Sequence, residues 1–152
     1  MNLRSFFCFL LALSSWTAIA CGSDQWQTDY EQALATAKST NKCVLLNFTG
    51  SDWCAPCIQM EKAVFRKATF LNYAKENLVL VEIDFPRRKV IPEKVAKQNE
   101  RLADQYEIEK SGYPTVVLLS PDGKSLGQLE GYGDDGPADI IAWVEKLRGK
   151  SP

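Results

Sequence analysis

The stretch Cys43-Val44-Leu45-Leu46-Asn47-Phe48-Thr49-Gly50-Ser51-Asp52-Trp53-Cys54-Ala55-Pro56-Cys57 decides how this chain is read. Residues 43–48 form a short, nearly continuous apolar run. Its length and β-branched content predict a strand buried on both faces. Thr49 to Asp52 make a loop. From Pro56 the apolar residues recur at helical spacing, with Cys57, Met60 and Val64 on one stripe and Ile58 and Phe65 on another. Pro56 suits a first helical turn, where its missing N–H is not needed. Cys54 and Cys57 therefore stand at a strand–loop–helix junction, close enough for their sulfurs to bond. At a helix N-terminus the free N–H groups and the dipole favour negative charge. That lowers a thiol pKa from its ordinary ~8.5 and raises the thiolate fraction at neutral pH. Cys54 is the expected nucleophile and Cys57 the resolving thiol. Half a zinc site or a structural bridge are the alternatives. Zinc wants four ligands, and with no histidine and residues 1–20 set aside, only Cys43 and possibly Cys21 are to spare. A bridge closing so short a loop would constrain little of the unfolded chain.

Outward from the motif, Thr28-Asp29-Tyr30-Glu31 reads as a capping box that opens an amphipathic helix over 28–39. A short helix is predicted over 68–76 and a second buried strand from Leu78 to Asp84. Pro86 and Pro92 bracket Arg87-Arg88-Lys89, and 93–106 read as a helix with Lys94, Lys97 and Arg101 on one side. Strands are predicted at Thr115–Leu119 and Ser125–Glu130. Ser120-Pro121-Asp122-Gly123 turns one into the other as a hairpin. Pro137 opens a last helix carrying Ile140, Val144 and Leu147. Strands alternating with helices predict a parallel βαβ core, and the hairpin adds an antiparallel pair. The fold class is α/β.

The 152 residues suit one domain with a proper core. With 18 basic and 19 acidic residues the net charge is −1, which argues against a nucleic-acid binder. There is no histidine. Ser-His-Asp and Cys-His nucleophile pairs and His-ligated metals are thereby excluded. Neither metal nor cofactor is expected. Residues 1–20 have one charge, Arg4, then an apolar stretch from Phe6 to Leu13 and a closing Ala18-Ile19-Ala20. This is the pattern of a secretory signal peptide. Cys21, followed by Gly22 and Ser23, stands where a bacterial lipoprotein would begin, although Ala18 is a poor match for the residue usual there. An incidental cysteine at an ordinary mature N-terminus is the other reading. Both place the protein outside the cytoplasm, in the periplasm or beyond, where disulfides persist.

Val44 to Cys57, with Trp53-Cys54-Ala55-Pro56-Cys57 and with Gly112-Tyr113-Pro114-Thr115 before a strand, resembles the thioredoxin family. The secreted bacterial members, including periplasmic disulfide reductases, are the most similar. The resemblance runs from about residue 28 to 148. It implies a single thioredoxin-like domain over 21–152 with a central mixed four-stranded sheet flanked by helices. It implies a cis Pro114 lying against the cysteine pair. Tyr113 would offer its backbone to an extended substrate segment, a small case of strand addition. Trp53 matches the family's tryptophan before the first cysteine, as a substrate contact or as simple packing.

Asn47 stands where the family often carries a buried aspartate, and the loop after it is one residue longer. Glu82 interrupts the apolar run from Leu78 to Ile83 and is the candidate proton acceptor in that aspartate's stead. An edge position facing water is the alternative. The basic 85–106 segment is either a steering surface for an acidic partner or a solvated face. Cys43 is expected in the buried strand as a small apolar residue.

The resulting expectation is a monomeric thiol-disulfide oxidoreductase that reduces protein disulfides through Cys54 and Cys57. Its partners would be disulfide-containing proteins and a membrane thiol-disulfide electron donor. Ala55-Pro56 carries no histidine to stabilise the reduced pair, which favours reduction over oxidation. A disulfide oxidase or isomerase, or a non-catalytic binding module, are the alternatives.

Overall fold

The computed structural model describes residues 25–149. Residues 1–20, expected as a signal peptide, and Cys21 lie outside the described residues. Element order is β1 (Trp26–Gln27), α1 (Tyr30–Thr40), β2 (Cys43–Thr49), α2 (Ala55–Met60), a π-helical turn (Glu61–Phe65), α3 (Ala68–Asn77), β3 (Leu78–Asp84), α4 (Glu93–Gln105), α5 (Ile108–Ser111), β4 (Thr115–Leu119), β5 (Ser125–Glu130) and α6 (Pro137–Arg148).

The sheet is five-stranded in the order β1-β3-β2-β4-β5, where four strands were expected. β1, β3 and β2 run parallel, and β4 and β5 complete the sheet as an antiparallel pair. The added strand, β1, is two residues long and pairs Trp26 with Leu80 and Gln27 with Val81. A strand that short has no periodicity to detect. α1 also starts later than its pattern suggested. Its N-cap is Asp29, whose carboxylate accepts the Gln32 amide, and not Thr28.

Each sheet face carries its own core. Leu46, Phe48, Val81, Ile83, Val117 and Leu119 pack with Ala33 and Ala37 of α1 and Leu102 of α4. Leu45, Leu80, Val116 and Leu118 pack beneath Met60, Val64, Phe65, Phe70, Ile140 and Val144. Because both faces are covered, β2 is buried along its whole length, as its unbroken apolar run implied. Asn47 and Glu82 share the second face, in register with one another across β2 and β3. β2 therefore aims the Cys54 loop off one end of a fixed sheet, and α2 carries Cys57 back over the face where Asn47 and Glu82 stand.

Candidate active site

The turn after β2 is made by Gly50, whose carbonyl accepts the amides of Trp53 at 3.2 Å and Cys54 at 2.9 Å. The indole of Trp53 folds back over Gly50 so closely that a Cβ there would lie 2.4 Å from Trp53 Cε2. Trp53 Nε1 donates to the carbonyl of Phe85 at 2.7 Å. Its ring meets Tyr113 edge-on at 5.6 Å between centroids, and Tyr113 meets Phe85 at 5.5 Å. Aromatic pairs at such separations contribute beyond their buried area. Trp53 is thus both a packing residue and part of the surface beside the cysteines.

Cys54 is the N-cap of α2, in extended conformation, and its Sγ accepts the Cys57 amide at 3.3 Å. Pro56 sits in the first turn. Cys54 and Cys57 are joined as a disulfide with an S–S distance of 1.99 Å. The Tyr113–Pro114 peptide is cis, as the resemblance implied. Tyr113 is half-buried against Trp53 and Phe85, and burial pushes its phenol pKa up. The Tyr113–Trp53 contact holds the loop of Pro114 to the segment that carries Cys54.

Beneath α2 lies a cavity of about 390 Å³ lined by Cys57, Asn47, Glu82, Glu61, Lys62 and Arg66 among others. Glu82, partly exposed on β3, opens onto the same space as Cys57. Asn47 is buried, and its Oδ1 has no hydrogen-bond partner among the described residues. Among the described residues no group of three or more His, Cys, Asp or Glu side chains is placed to hold a metal ion.

Sequence reasoning missed the contacts that fasten the loop 85–92 to the cysteine loop. Ser51 and Asp52 both take part, and the Asp52 carboxyl is held below its ordinary pKa by accepting the Arg87 amide first and the Arg88 amide after it. No local pattern announces bonds between residues more than thirty positions apart. The three basic side chains singled out on α4 are in ion pairs instead: Lys94 with Asp29, Lys97 with Glu93 and Arg101 with Glu31. They form a solvated, self-neutralised face.

A family model of thioredoxin-like proteins matches residues 25–121. The chain belongs to the thioredoxin-like family. Among its relatives, the disulfide bond reductase DsbH of Chlamydia pneumoniae is 35% identical over 133 residues, covering 86% of this chain and 78% of that protein. The thioredoxin-related protein DsbJ of the same organism is 27% identical over 110 residues, which is 72% of this chain and 31% of that one. The solved structure of a DsbH oxidoreductase superposes with a TM-score of 0.76 at 30% identity, covering 99% of this chain and 95% of the other. A disulphide isomerase from Xylella fastidiosa Temecula1 is similar at a TM-score of 0.59 and 26% identity, over 76% and 87% of the two chains. In this thioredoxin-like chain, the Cys54–Cys57 pair is that of a thiol-disulfide oxidoreductase.

Proposed function

We propose that this thioredoxin-like protein is an extracytoplasmic disulfide reductase. The observation that carries the reading is the Cys54–Cys57 pair at the start of α2, with the Cys57 amide directed at Cys54 Sγ. Ala55 and Pro56 supply no charge that would favour the dithiol over the disulfide, so the reduced pair remains a good electron donor. The name of the DsbH relative, a disulfide bond reductase, supports the same direction. The apolar leader at residues 1–20 supports export, with Cys21 as a lipid anchor if it is acylated.

In the forward reaction Cys54 thiolate attacks one sulfur of a substrate disulfide. A mixed disulfide forms and one substrate thiolate leaves. Cys57 then loses its proton and attacks Cys54 Sγ. The second substrate thiolate leaves, the substrate has gained two electrons, and the Cys54–Cys57 disulfide is restored. A membrane dithiol partner returns two electrons to the pair by the reverse exchange. Glu82 takes the Cys57 proton across the cavity they share. Trp53, Tyr113 and the backbone beside Pro114 form the groove that receives an extended substrate segment.

Two variants test this. Cys54→Ser abolishes reduction of a protein disulfide such as insulin. Cys57→Ala accumulates a mixed disulfide that identifies substrate or donor. Equilibration with glutathione is expected to give a potential nearer ~−270 mV than ~−120 mV. A value near the latter would reverse the direction. Full activity in Cys54→Ser would remove Cys54 as the nucleophile, and no insulin reduction by the unaltered protein would end the redox reading and leave a binding module.

A further inference from the structure

A second set of basic residues, apart from those of α4, lies on the loop after β3, which is bonded to the segment that carries Cys54. Arg87, Arg88 and Lys89 are all exposed there. The three residues immediately before Cys54 fix this loop. Lys89 Nζ donates to Ser51 Oγ at 3.0 Å, and Ser51 Oγ donates to Asp84 Oδ2 at 2.6 Å. The Asp52 carboxylate accepts the amides of Arg87 at 2.9 Å and Arg88 at 2.7 Å. Trp53 Nε1 holds the Phe85 carbonyl. The outcome is that Arg87 Cζ lies 3.9 Å from the centroid of the Trp53 ring.

This arrangement differs from an ordinary solvated charge run in two ways. First, the ion pairs that neutralise Lys94, Lys97 and Arg101 involve neither Arg87 nor Arg88. The Asp52 carboxylate is directed at backbone amides. Second, an aromatic face holds a guanidinium in place without using its N–H donors, which stay available to a carboxylate in fork geometry. Arg87 is thereby pre-ordered one residue from the nucleophile, so a partner that engages it loses little further side-chain entropy. The patch is local, because the chain as a whole carries a net charge of −1. At another edge of α2 the sign is opposite: Asp134 lies 3.5 Å from Gln59 Nε2.

We propose that Arg87, with Arg88 and Lys89 beside it, binds an acidic polypeptide segment flanking the target disulfide, so that disulfides in acidic sequence are the preferred substrates. This rests on the disulfide exchange proposed above and adds the substrate class.

The test compares a disulfide-containing peptide with Asp and Glu around its cystine, its Asn and Gln counterpart, and hydroxyethyl disulfide as reference. The readout is kcat/KM on each peptide divided by that on hydroxyethyl disulfide. The unaltered protein is expected to favour the acidic peptide by roughly five- to ten-fold at low salt. The preference should fall toward one at about 0.5 M NaCl. Arg87→Glu should abolish or invert it. Arg88→Glu, whose side chain is not on Trp53, should weaken it even if Arg87→Glu perturbs the fold. Equal ratios for the two peptides with the unaltered protein would overturn the proposal. So would an Arg87→Glu protein that is slower on all substrates with its preference intact, since Arg87 would then act on Cys54 rather than on substrate charge. If the unaltered protein reduces none of the three, the redox reading itself fails.

Discussion

Asn47 and Glu82 stand opposite one another in the parallel register of β2 and β3, and both line the cavity that reaches Cys57. One side chain cannot titrate and the other can. Of these two, only Glu82 can take a proton, which makes it the proposed acceptor for Cys57. Glu82→Gln preserves shape and removes that ability. The second step of exchange, attack by Cys57 on the mixed disulfide, should slow by roughly ten- to a hundred-fold, and its pH dependence should flatten. Single-turnover release of substrate thiol, followed across pH, measures this. An unchanged profile would remove Glu82 from the proton path while leaving the Cys54 chemistry intact.

Gly50 and Trp53 are bound together by space. A Cβ on residue 50 would fall 2.4 to 2.7 Å from Cε2, Nε1 and Cζ2 of the indole. These are atoms of a rigid ring, not the far end of a flexible chain. Gly50→Ala must push the ring outward and weaken its bond to the Phe85 carbonyl. A cost of about 1–3 kcal/mol is expected from overpacking. The midpoint of urea unfolding should fall, and tryptophan fluorescence should change in the folded state. An unshifted midpoint would mean that the turn accommodates the methyl group elsewhere.

The same loop shows how far a sequence can be read. The cysteine pair and its strand–loop–helix setting follow from residues that are neighbours in the chain, where apolar run, turn and helical stripe each have a local cause. The cis Pro114 was accessible through resemblance alone, since nothing in Gly112-Tyr113-Pro114 specifies the isomer. β1 escaped because two residues carry no period. The split of one predicted helix into α2 and a π-helical turn at Glu61–Phe65 leaves Met60, Val64 and Phe65 buried all the same, so the apolar pattern does not report it. The basic stripe on α4 was visible, and so was the i,i+4 partner of Lys97, Glu93, but Asp29 at the cap of α1 and Glu31 within it lie 65 and 70 residues from Lys94 and Arg101. Charge was legible, and the long-range pairing was not.

Asp52 anchors the Arg87 loop through two amides, and those bonds are the main reason its carboxyl is held below the ordinary value of 3.8. A depressed acid stabilises the fold above its unfolded pKa and loses that contribution as pH falls through the folded one. Asp52→Asn removes the charge but keeps an oxygen acceptor, whereas Asp52→Ala removes both. Amide hydrogen exchange should accelerate strongly at both Arg87 and Arg88 in Asp52→Ala, and at one of the two in Asp52→Asn, whose carboxamide has a single acceptor oxygen. In the unaltered protein it should accelerate selectively below about pH 4, beyond the general trend of exchange with pH. Protection at both amides that is indifferent to Asp52 would show that the loop is held by the Trp53 and Ser51 contacts alone.

At the other end of the sheet, Tyr73, Glu145, Arg148 and Asn77 form a polar cluster near the buried thiol of Cys43. Tyr73 Oη donates to the Glu145 carboxylate and accepts from Arg148 Nη1 at 3.2 Å, and Arg148 Nη1 also donates to Asn77 Oδ1 at 2.9 Å. Burial, and then the Glu145 carboxylate, push the Tyr73 pKa from 10.0 up to about 12. Burial pushes the Cys43 thiol up as well. Both groups are acids kept neutral by the fold. Their contribution is complete below the unfolded pKa and is lost as pH rises through the folded one. For Tyr73 that window runs from about pH 10 to 12. Tyr73→Phe should be less stable than the unaltered protein at pH 7, because its hydrogen bonds are gone. It should lose less stability between pH 10 and 12, because no phenol is left to ionise on unfolding. The two denaturation curves should therefore converge with rising pH. Tyr106 and Tyr113 have raised pKa values too, so the decline persists in the variant and the difference between the proteins is the quantity to measure. Curves that stay parallel would show that Tyr73 ionises in the folded state as readily as in the unfolded one.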